Sequence, residues 1–132
     1  MTTLAPLALR AFSACFALAF LLLSAGAGLA ADAANGEKIY KRKCRTCHSL
    51  EPGQNKVGPS LHGIMGRTAG TEEGYKYSTA MKDSGVVWDE ASLDEYLAKP
   101  KEFIPKSKMV FAGFKKESDR QDVIAYLKEA AQ

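Results

Sequence analysis

The sequence predicts an all-α domain in which a few helices and long loops surround a large apolar group. Alternation of apolar and polar residues, the pattern of a half-buried strand, is scarce along the 132 residues. Apolar residues recur at helical spacing near both ends of the charged part of the chain, and Gly and Pro interrupt residues 49–70. A loop that long is unusual in a compact domain unless it wraps something, and so small a domain gains much from an apolar object at its centre.

The first residues of the chain differ in composition from the rest and predict an export signal. Arg10 supplies the positive start, residues 11–23 form an apolar run, and small residues follow. We therefore expect a secretory signal peptide over residues 1–31 and one domain over residues 32–132.

Two points about this signal stay open in the sequence. Cleavage after Ala30, Ala31 or Ala33 is equally compatible with the small residues there. An uncleaved membrane anchor is the alternative, since residues 11–30 are uncharged and approach the length of a membrane span. Cys15 lies in the apolar run and is expected to be removed with the signal.

The net charge of the domain is too small to indicate nucleic-acid binding. The whole chain has 18 basic and 15 acidic side chains, and loss of residues 1–31 removes only Arg10 from these, leaving 17 against 15. Any electrostatic function must therefore depend on where the lysines lie.

The first predicted helix covers residues 33–45, with Asp32 or Asn35 as its cap. Its C-terminal end carries the stretch CRTCH. The Gly- and Pro-rich loop follows, and a short helical turn is expected within residues 75–81.

A second clear helix is predicted over residues 89–99, before Pro100 ends it. Ser92 and Glu95 form a possible capping box. The apolar face of this helix comprises Leu93, Tyr96 and Leu97.

The last helix begins near Ser118, after a loop over residues 101–115, and Gln121 completes a capping pattern. The spacing of its apolar residues predicts a buried stripe made of Val123, Ile124, Leu127, Ala130 and Ala131.

The stretch CRTCH has four chemical interpretations. A structural zinc site needs four ligands, and beyond Cys44 and Cys47 there is no second CxxC or HxxxH pair. A thioredoxin-like dithiol needs a βαβ unit, which is not predicted, and a plain disulfide leaves His48 unexplained. Haem attachment uses all three residues: two thiols form thioethers with the porphyrin vinyl groups while the imidazole meets the iron. Positions i, i+3 and i+4 at a helix end face the same side, as this requires.

Haem iron held by His48 needs a sixth ligand or keeps an open position. The candidates are Met65, Met81, Met109 and His62. Composition does not choose among them, but the loop character of IPKSKMVFAGF favours Met109, whereas core filling is the better interpretation of Met65 and Met81.

Beyond CRTCH, longer stretches of the chain resemble class I cytochrome c, including the mitochondrial protein and the bacterial periplasmic cytochrome c2 group. The resemblance covers essentially all of residues 33–131. The stretches that carry it are NGEKIYKRKCRTCHSLE, VGPSLHGIMGR, GYKYSTAMKDSGVVWDEASLDEYLAKPKEFIPKSKMVFAGFKK and RQDVIAYLK.

The resemblance implies the class I fold, with crossed N- and C-terminal helices, and shorter helices and long loops wrapped around one haem c. The haem is bound covalently through Cys44 and Cys47, and His48 and Met109 are the axial ligands of its iron. The helices meet where Gly36 permits close approach, and the other contact residues are Tyr40, Val123 and Tyr126.

The resemblance also implies hydrogen-bonding neighbours for the haem and its ligands. The carbonyl of Pro59 accepts from the His48 Nδ1–H, and Tyr96 and Ser107 lie beside the methionine ligand. The partners of the haem propionates are Arg67, Tyr77 and Trp88.

Three positions depart from the family pattern. Met81 stands where mitochondrial members usually have Asn, and Lys106 replaces a common Gly before the ligand loop. The loop between Leu50 and Gly58 is one residue shorter. None of these departures removes a ligand, so they bear on the reduction potential and on loop stability.

The expected function is that of a one-electron carrier and not of an enzyme. A six-coordinate iron has no vacant position for a substrate, and no nucleophile–base pair is apparent. We expect a monomer in the bacterial periplasm that carries electrons from a quinol–cytochrome c reductase to an oxidase or a photosynthetic reaction centre. It would touch membranes only through these partners.

By the resemblance, five lysines surround the exposed haem edge and would dock on acidic faces of those partners. They are Lys43, Lys101, Lys108, Lys115 and Lys116. Two alternatives remain: a haem enzyme or gas sensor whose Met109 is easily displaced, and the same carrier tethered by an uncleaved N-terminus.

Overall fold

The computed structural model describes residues 30–132, together with residue 2 alone. The predicted signal peptide, including Cys15, lies outside the described residues except for residues 2, 30 and 31. Within residues 30–132 the structure has five helices: α1 (Ala33–Lys43), α2 (Thr79–Lys82), α3 (Glu90–Ala98), α4 (Pro100–Phe103) and α5 (Glu117–Ala130). The strand-like pairing in the described part is one antiparallel bridge between Thr68 and Val87. The predicted all-α class is confirmed.

The first and last helices pack against each other, as predicted. Asp32 caps α1 by accepting from the Asn35 N–H, and its own N–H donates to Asp122 on α5 at 2.7 Å. A Cβ at Gly36 would collide with the Asp122 carbonyl, so glycine is what lets the two backbones meet.

The cap of α3 differs from the prediction. Asp89, and not Ser92, is its N-cap: the Asp89 side chain accepts from the Ser92 N–H, and the Ser92 hydroxyl accepts from the Asp89 N–H. The predicted Ser92–Glu95 box is therefore wrong, because it placed the N-cap three residues after Asp89.

The segment after α3 also differs from the prediction. Pro100 was expected only to end a helix, yet it is the first residue of the short helix α4. Proline suits that position, because the first turn of a helix needs no N–H donor there. The predicted loop over residues 101–115 is thus shorter than expected.

The last helix begins at Glu117, and its N-cap residue Lys116 makes no side-chain capping bond. The predicted capping role of Gln121 is wrong, since its amide donates instead to the Glu117 carboxylate at 2.9 Å. The predicted stripe is buried at Val123, Ile124, Leu127 and Ala131, whereas Ala130 is only partly buried.

Hydrogen bonds and an ion pair connect the middle of the chain to the last helix. The Gly63 N–H donates to the Ala131 carbonyl, which ties the long loop to the end of α5. Arg120 on α5 pairs with Asp94 on α3 at 2.8 Å and also donates to the Phe114 carbonyl. Among the described residues, no helix has the length and apolar character needed to cross a membrane.

Candidate functional site

A cavity of about 390 Å³ lies inside the domain, and its lining is mainly apolar. Nine of the ten residues predicted to bind the cofactor or its ligands line it: Cys44, Cys47, His48, Pro59, Arg67, Tyr77, Trp88, Tyr96 and Met109. Ser107, the tenth, is buried but does not line the cavity. Residues far apart in the sequence therefore meet around one space.

The end of α1 delivers the CRTCH side chains to this cavity. Cys44 is the C-cap of α1, and the N–H groups of Cys47 and His48 both donate to its carbonyl, at 3.0 and 2.9 Å. This turn keeps the three side chains on one side of the backbone. Cys44 and Cys47 are not joined by a disulfide.

The described residues around the thiols lack the ligand set of a metal-thiolate site. Burial raises the pKa of Cys44 to about 11, so this thiol stays neutral near pH 7. In the described part of the chain, no three His, Cys, Asp or Glu side chains cluster in a way that could hold a metal ion. The ligand set near the thiols therefore does not match a structural zinc site.

His48 is held in one orientation by the loop that follows. Its Nδ1 lies 2.7 Å from the Pro59 carbonyl oxygen. Because a carbonyl can only accept, Nδ1 carries the proton, and Nε2 keeps the lone pair that a metal ligand needs. Burial lowers the pKa of His48, which also favours the neutral ring.

Gly58 lies against the His48 imidazole and was not among the predicted site residues. A Cβ there would lie 2.7 Å from His48 Nδ1, too close for any side chain. Its N–H also donates to the Cys47 carbonyl at 2.7 Å. The sequence showed it only as one of several loop glycines, and its contact with the imidazole depends on the folded loop.

Met109 lines the same cavity, next to an aromatic wall. The Tyr96 hydroxyl lies 3.9 Å from the Met109 sulfur, and the Tyr96 and Trp88 rings are 5.0 Å apart. The buried Ser107 Oγ has no hydrogen-bond partner among the described residues. Of the other predicted ligand candidates, Met81 also lines the cavity, whereas Met65 and His62 do not.

Arg67 lines the cavity and is fixed by three bonds. Its guanidinium donates to the carbonyls of Ser60 and His62, at 2.8 and 3.0 Å, and to the Glu72 carboxylate at 2.6 Å. Nearby, burial raises the pKa of Tyr77, which packs edge-on against Tyr75. Glu72 was not among the predicted site residues.

The five predicted docking lysines are exposed, but only some of them line the cavity. Lys43 and Lys108 line the cavity, whereas Lys101, Lys115 and Lys116 do not. The ammonium of Lys101 donates to the Ser107 carbonyl and that of Lys108 to the Lys76 carbonyl, so both also brace the chain. Two exposed apolar side chains, Val57 and Val110, line the cavity too.

The two side-chain departures noted in the sequence take distinct forms. Met81 is buried and fills part of the cavity lining with a thioether. Lys106 has φ 65°, the left-handed conformation that favours glycine, and is the one non-glycine residue with positive φ in the described part.

Comparison with known proteins accounts for this arrangement. The family model for cytochrome c matches residues 33–131. The chain belongs to the cytochrome c family. It is 50% identical to cytochrome c of Nigella damascena over 102 residues, which are 76% of this chain and 92% of that protein.

Two other relatives agree with this. Cytochrome c of Chlamydomonas reinhardtii is 53% identical over 102 residues, 76% of this chain and 91% of that protein. Cytochrome c 2.1 of Caenorhabditis elegans is 50% identical over 98 residues, 74% of this chain and 88% of that protein. The predicted resemblance to class I cytochrome c is confirmed.

A cytochrome c carries one haem c bound through cysteines, and the residues of this cytochrome fit it. Cys44 and Cys47 stand at the required spacing on one turn beside a mainly apolar cavity. The missing Cβ of Gly58 makes room for His48, and the unprotonated Nε2 is available to the iron. Two of the five N–H donors of Arg67 make no bond to a described residue and can serve a carboxylate.

The family also defines the kind of chemistry. Cytochromes c are electron carriers acting with redox partners, not enzymes and not nucleic-acid-binding proteins. Bound haem supplies a one-electron couple at its iron. The chain's own contribution is to hold the His48 ring in one orientation, to line the cavity with mainly apolar side chains, and to place the Arg67 guanidinium at its wall.

Proposed function

We propose that this cytochrome is a periplasmic, monomeric one-electron carrier that uses His48 and Met109 as the two axial ligands of its haem iron. The observation that carries the proposal is that the His48 ring, oriented by Pro59, and the Met109 sulfur, beside Tyr96, line one cavity. With both positions of the iron occupied by protein, electron transfer is the chemistry that remains.

A redox titration followed optically tests Met109. A His/Met pair raises the potential of haem iron, so Met109→Ala should lower the midpoint potential sharply and let cyanide or carbon monoxide bind promptly. Met65→Ala is the matched control, because Met65 packs against the core without lining the cavity. An unchanged potential in Met109→Ala would refute this ligand, and Met81 would be the next candidate to replace.

The remaining predicted neighbours take supporting roles in this proposal. Tyr96 and Ser107 would restrain the methionine, and Pro59 would set the histidine orientation. Arg67, Tyr77 and Trp88 would hold the propionates, which need compensating donors when they are removed from water.

The proposed partners are membrane redox complexes with acidic docking faces: a quinol–cytochrome c reductase on one side and an oxidase or photosynthetic reaction centre on the other. Lys43 and Lys108 line the cavity from the surface, and Lys101, Lys115 and Lys116 extend the exposed basic set. Charges of one sign around a site accelerate encounter with acidic partners without making the complex long-lived.

Stopped-flow reduction by a purified reductase of this type tests the docking lysines. Lys43→Glu and Lys108→Glu should each slow association about tenfold at low salt, and the difference should shrink as ionic strength rises. Lys38→Glu is the control, because Lys38 is an exposed lysine of α1 with the same charge change that does not line the cavity. Equal slowing in all three variants would reduce the effect to net charge.

Export through residues 1–31 accounts for the proposed periplasmic location. N-terminal sequencing of the purified protein tests it: a start at residue 31, 32 or 34 supports cleavage. An intact N-terminus that sediments with membranes supports the tethered carrier instead.

A further inference from the structure

The ion pair between Arg67 and Glu72 lies at the wall of the cavity, and its location suggests more than stability. The Arg67 guanidinium and the Glu72 carboxylate approach to 2.6 Å, and their side chains are only 14% and 13% exposed. Arg67 lines the cavity, whereas Glu72 does not, so the carboxylate lies behind the guanidinium.

The arginine is positioned from the protein side by fixed acceptors. Its Nη1 donates to both the His62 carbonyl and the Glu72 carboxylate, and its Nη2 donates to the Ser60 carbonyl. Three of five donors are thus engaged, and two remain for another acceptor. A planar guanidinium held this way can bridge two carboxylates, one from the protein and one from a ligand in the cavity.

The burial of the Arg67–Glu72 pair determines how strongly its electrostatic field acts on the cavity. An exposed ion pair is screened by water and salt, but one with both partners this sheltered keeps most of its field. Without Glu72, the cavity wall would carry an uncompensated positive charge at Arg67. With it, the local charge is balanced before any ligand carboxylate arrives.

We propose that Glu72 is a positioning and charge-compensating residue that holds Arg67 at the cavity wall and lowers the reduction potential of the bound haem. The ferric state has one more positive charge than the ferrous state, so a sheltered negative charge behind the cavity wall would favour the ferric state of a haem bound there. The proposal rests on the proposed role of Arg67 as a propionate partner.

The test is the midpoint potential of Glu72→Gln, which keeps the shape and an acceptor oxygen but removes the charge. At a fixed ambient potential, we expect the ferrous-to-ferric ratio to rise about twofold to fivefold, and to stay raised at high ionic strength because the pair is sheltered. Glu73→Gln is the matched control, since Glu73 is the exposed neighbour with the same charge. A shift in Glu72→Gln no larger than that in Glu73→Gln would overturn the proposal.

Two further variants keep the test decisive if Glu72→Gln folds poorly. Arg67→Gln should shift the potential in the opposite direction, and the double variant Arg67→Gln/Glu72→Gln should lie near the wild type, because neither charge is then left unpaired. A midpoint potential of the double variant that lies outside the range set by the two single variants would also overturn the proposal. Failure of the carrier proposal is seen separately, in the wild-type spectrum and in Met109→Ala.

Discussion

The pair formed by α1 and α5 differs in construction from the loop region, which covers residues 49–116 and comprises the long loops with the helices α2, α3 and α4. The contact between α1 and α5 is made by protein atoms: Gly36 meets the Asp122 backbone, Tyr40 packs on Tyr126 at 5.6 Å, and Ile39 is almost fully buried. On α5, Val123 and Leu127 also line the cavity. The loop region instead contributes most of the lining of this cavity of about 390 Å³. We therefore expect contacts between protein side chains to stabilise the helix pair, and the enclosed cofactor to stabilise the loop region.

The largest test of this contrast is a haem-free chain, prepared with Cys44→Ser and Cys47→Ser. An empty apolar space costs about 24 cal/mol per Å³, so a cavity of about 390 Å³ would cost about 9 kcal/mol. That is comparable to the whole stability of a small domain, so the loop region should not stay folded. Hydrogen exchange should show lost protection over residues 49–116, with what remains confined to α1 and α5.

Retained protection across the loops of the haem-free chain would contradict the contrast. It would mean that protein contacts alone hold the loop region.

The next test is directed at the helix pair. In Gly36→Ala the new Cβ would lie 2.6 Å from the Asp122 carbonyl carbon and 2.9 Å from the Tyr126 Cβ. The helices must separate, and we expect the free energy of unfolding of the haem-loaded protein to fall by about 3 kcal/mol in denaturant titration. The control is Gly85→Ala, which has open space and φ 66° and should cost only about 1 kcal/mol.

A smaller effect is expected at the ligand loop. Lys106 adopts φ 65°, which strains a residue with a Cβ, so Lys106→Gly should stabilise the protein by about 1 kcal/mol. Lys106→Ala is the control, because alanine removes the charge and keeps the strain. Equal melting temperatures for the Gly and Ala variants would show that backbone strain is not the cause.

The smallest effect is expected at the exposed cap of α3. Hydrogen bonds from the Ser92 N–H and hydroxyl lower the pKa of the Asp89 carboxyl below its usual 3.8. Its contribution is thus present above the unfolded pKa and is lost as pH falls through the folded pKa. The free energy of unfolding of Asp89→Ala should therefore be lower than that of the wild type at neutral pH, and the two should become equal in strong acid. In Asp89→Asn the side chain still caps the helix, and its contribution should not depend on pH.

The sequence was informative where the physics is local. Helical spacing predicted α1, α3 and α5 with end errors of one or two residues, and the spacing of CRTCH was enough to predict covalent haem. Pro100 was misinterpreted because proline both ends one helix and begins the next, and only the path of the chain distinguishes the two.

Contacts between residues far apart in the sequence could not be predicted from local patterns. The sequence places Gly58 and His48 ten residues apart, with nothing to show that the imidazole would lie against the glycine. Likewise Glu72 looked like one of two neighbouring acids, and only the folded loop distinguishes it from Glu73 by bringing it to Arg67. Such contacts depend on how a loop closes around a ligand, which no periodicity encodes.

The contact between α1 and α5 also constrains the order of events during synthesis. Translation completes α1 and the cysteine turn long before α5, the partner on which they pack. Before α5 docks, we expect the two thiols to be more accessible for cofactor attachment than in the folded domain. Docking of α5, with the Gly63 to Ala131 bond, would close that interval. Docking of α5 would thus complete the fold around the cysteine turn. A chain truncated before α5 should leave the two cysteines accessible for longer.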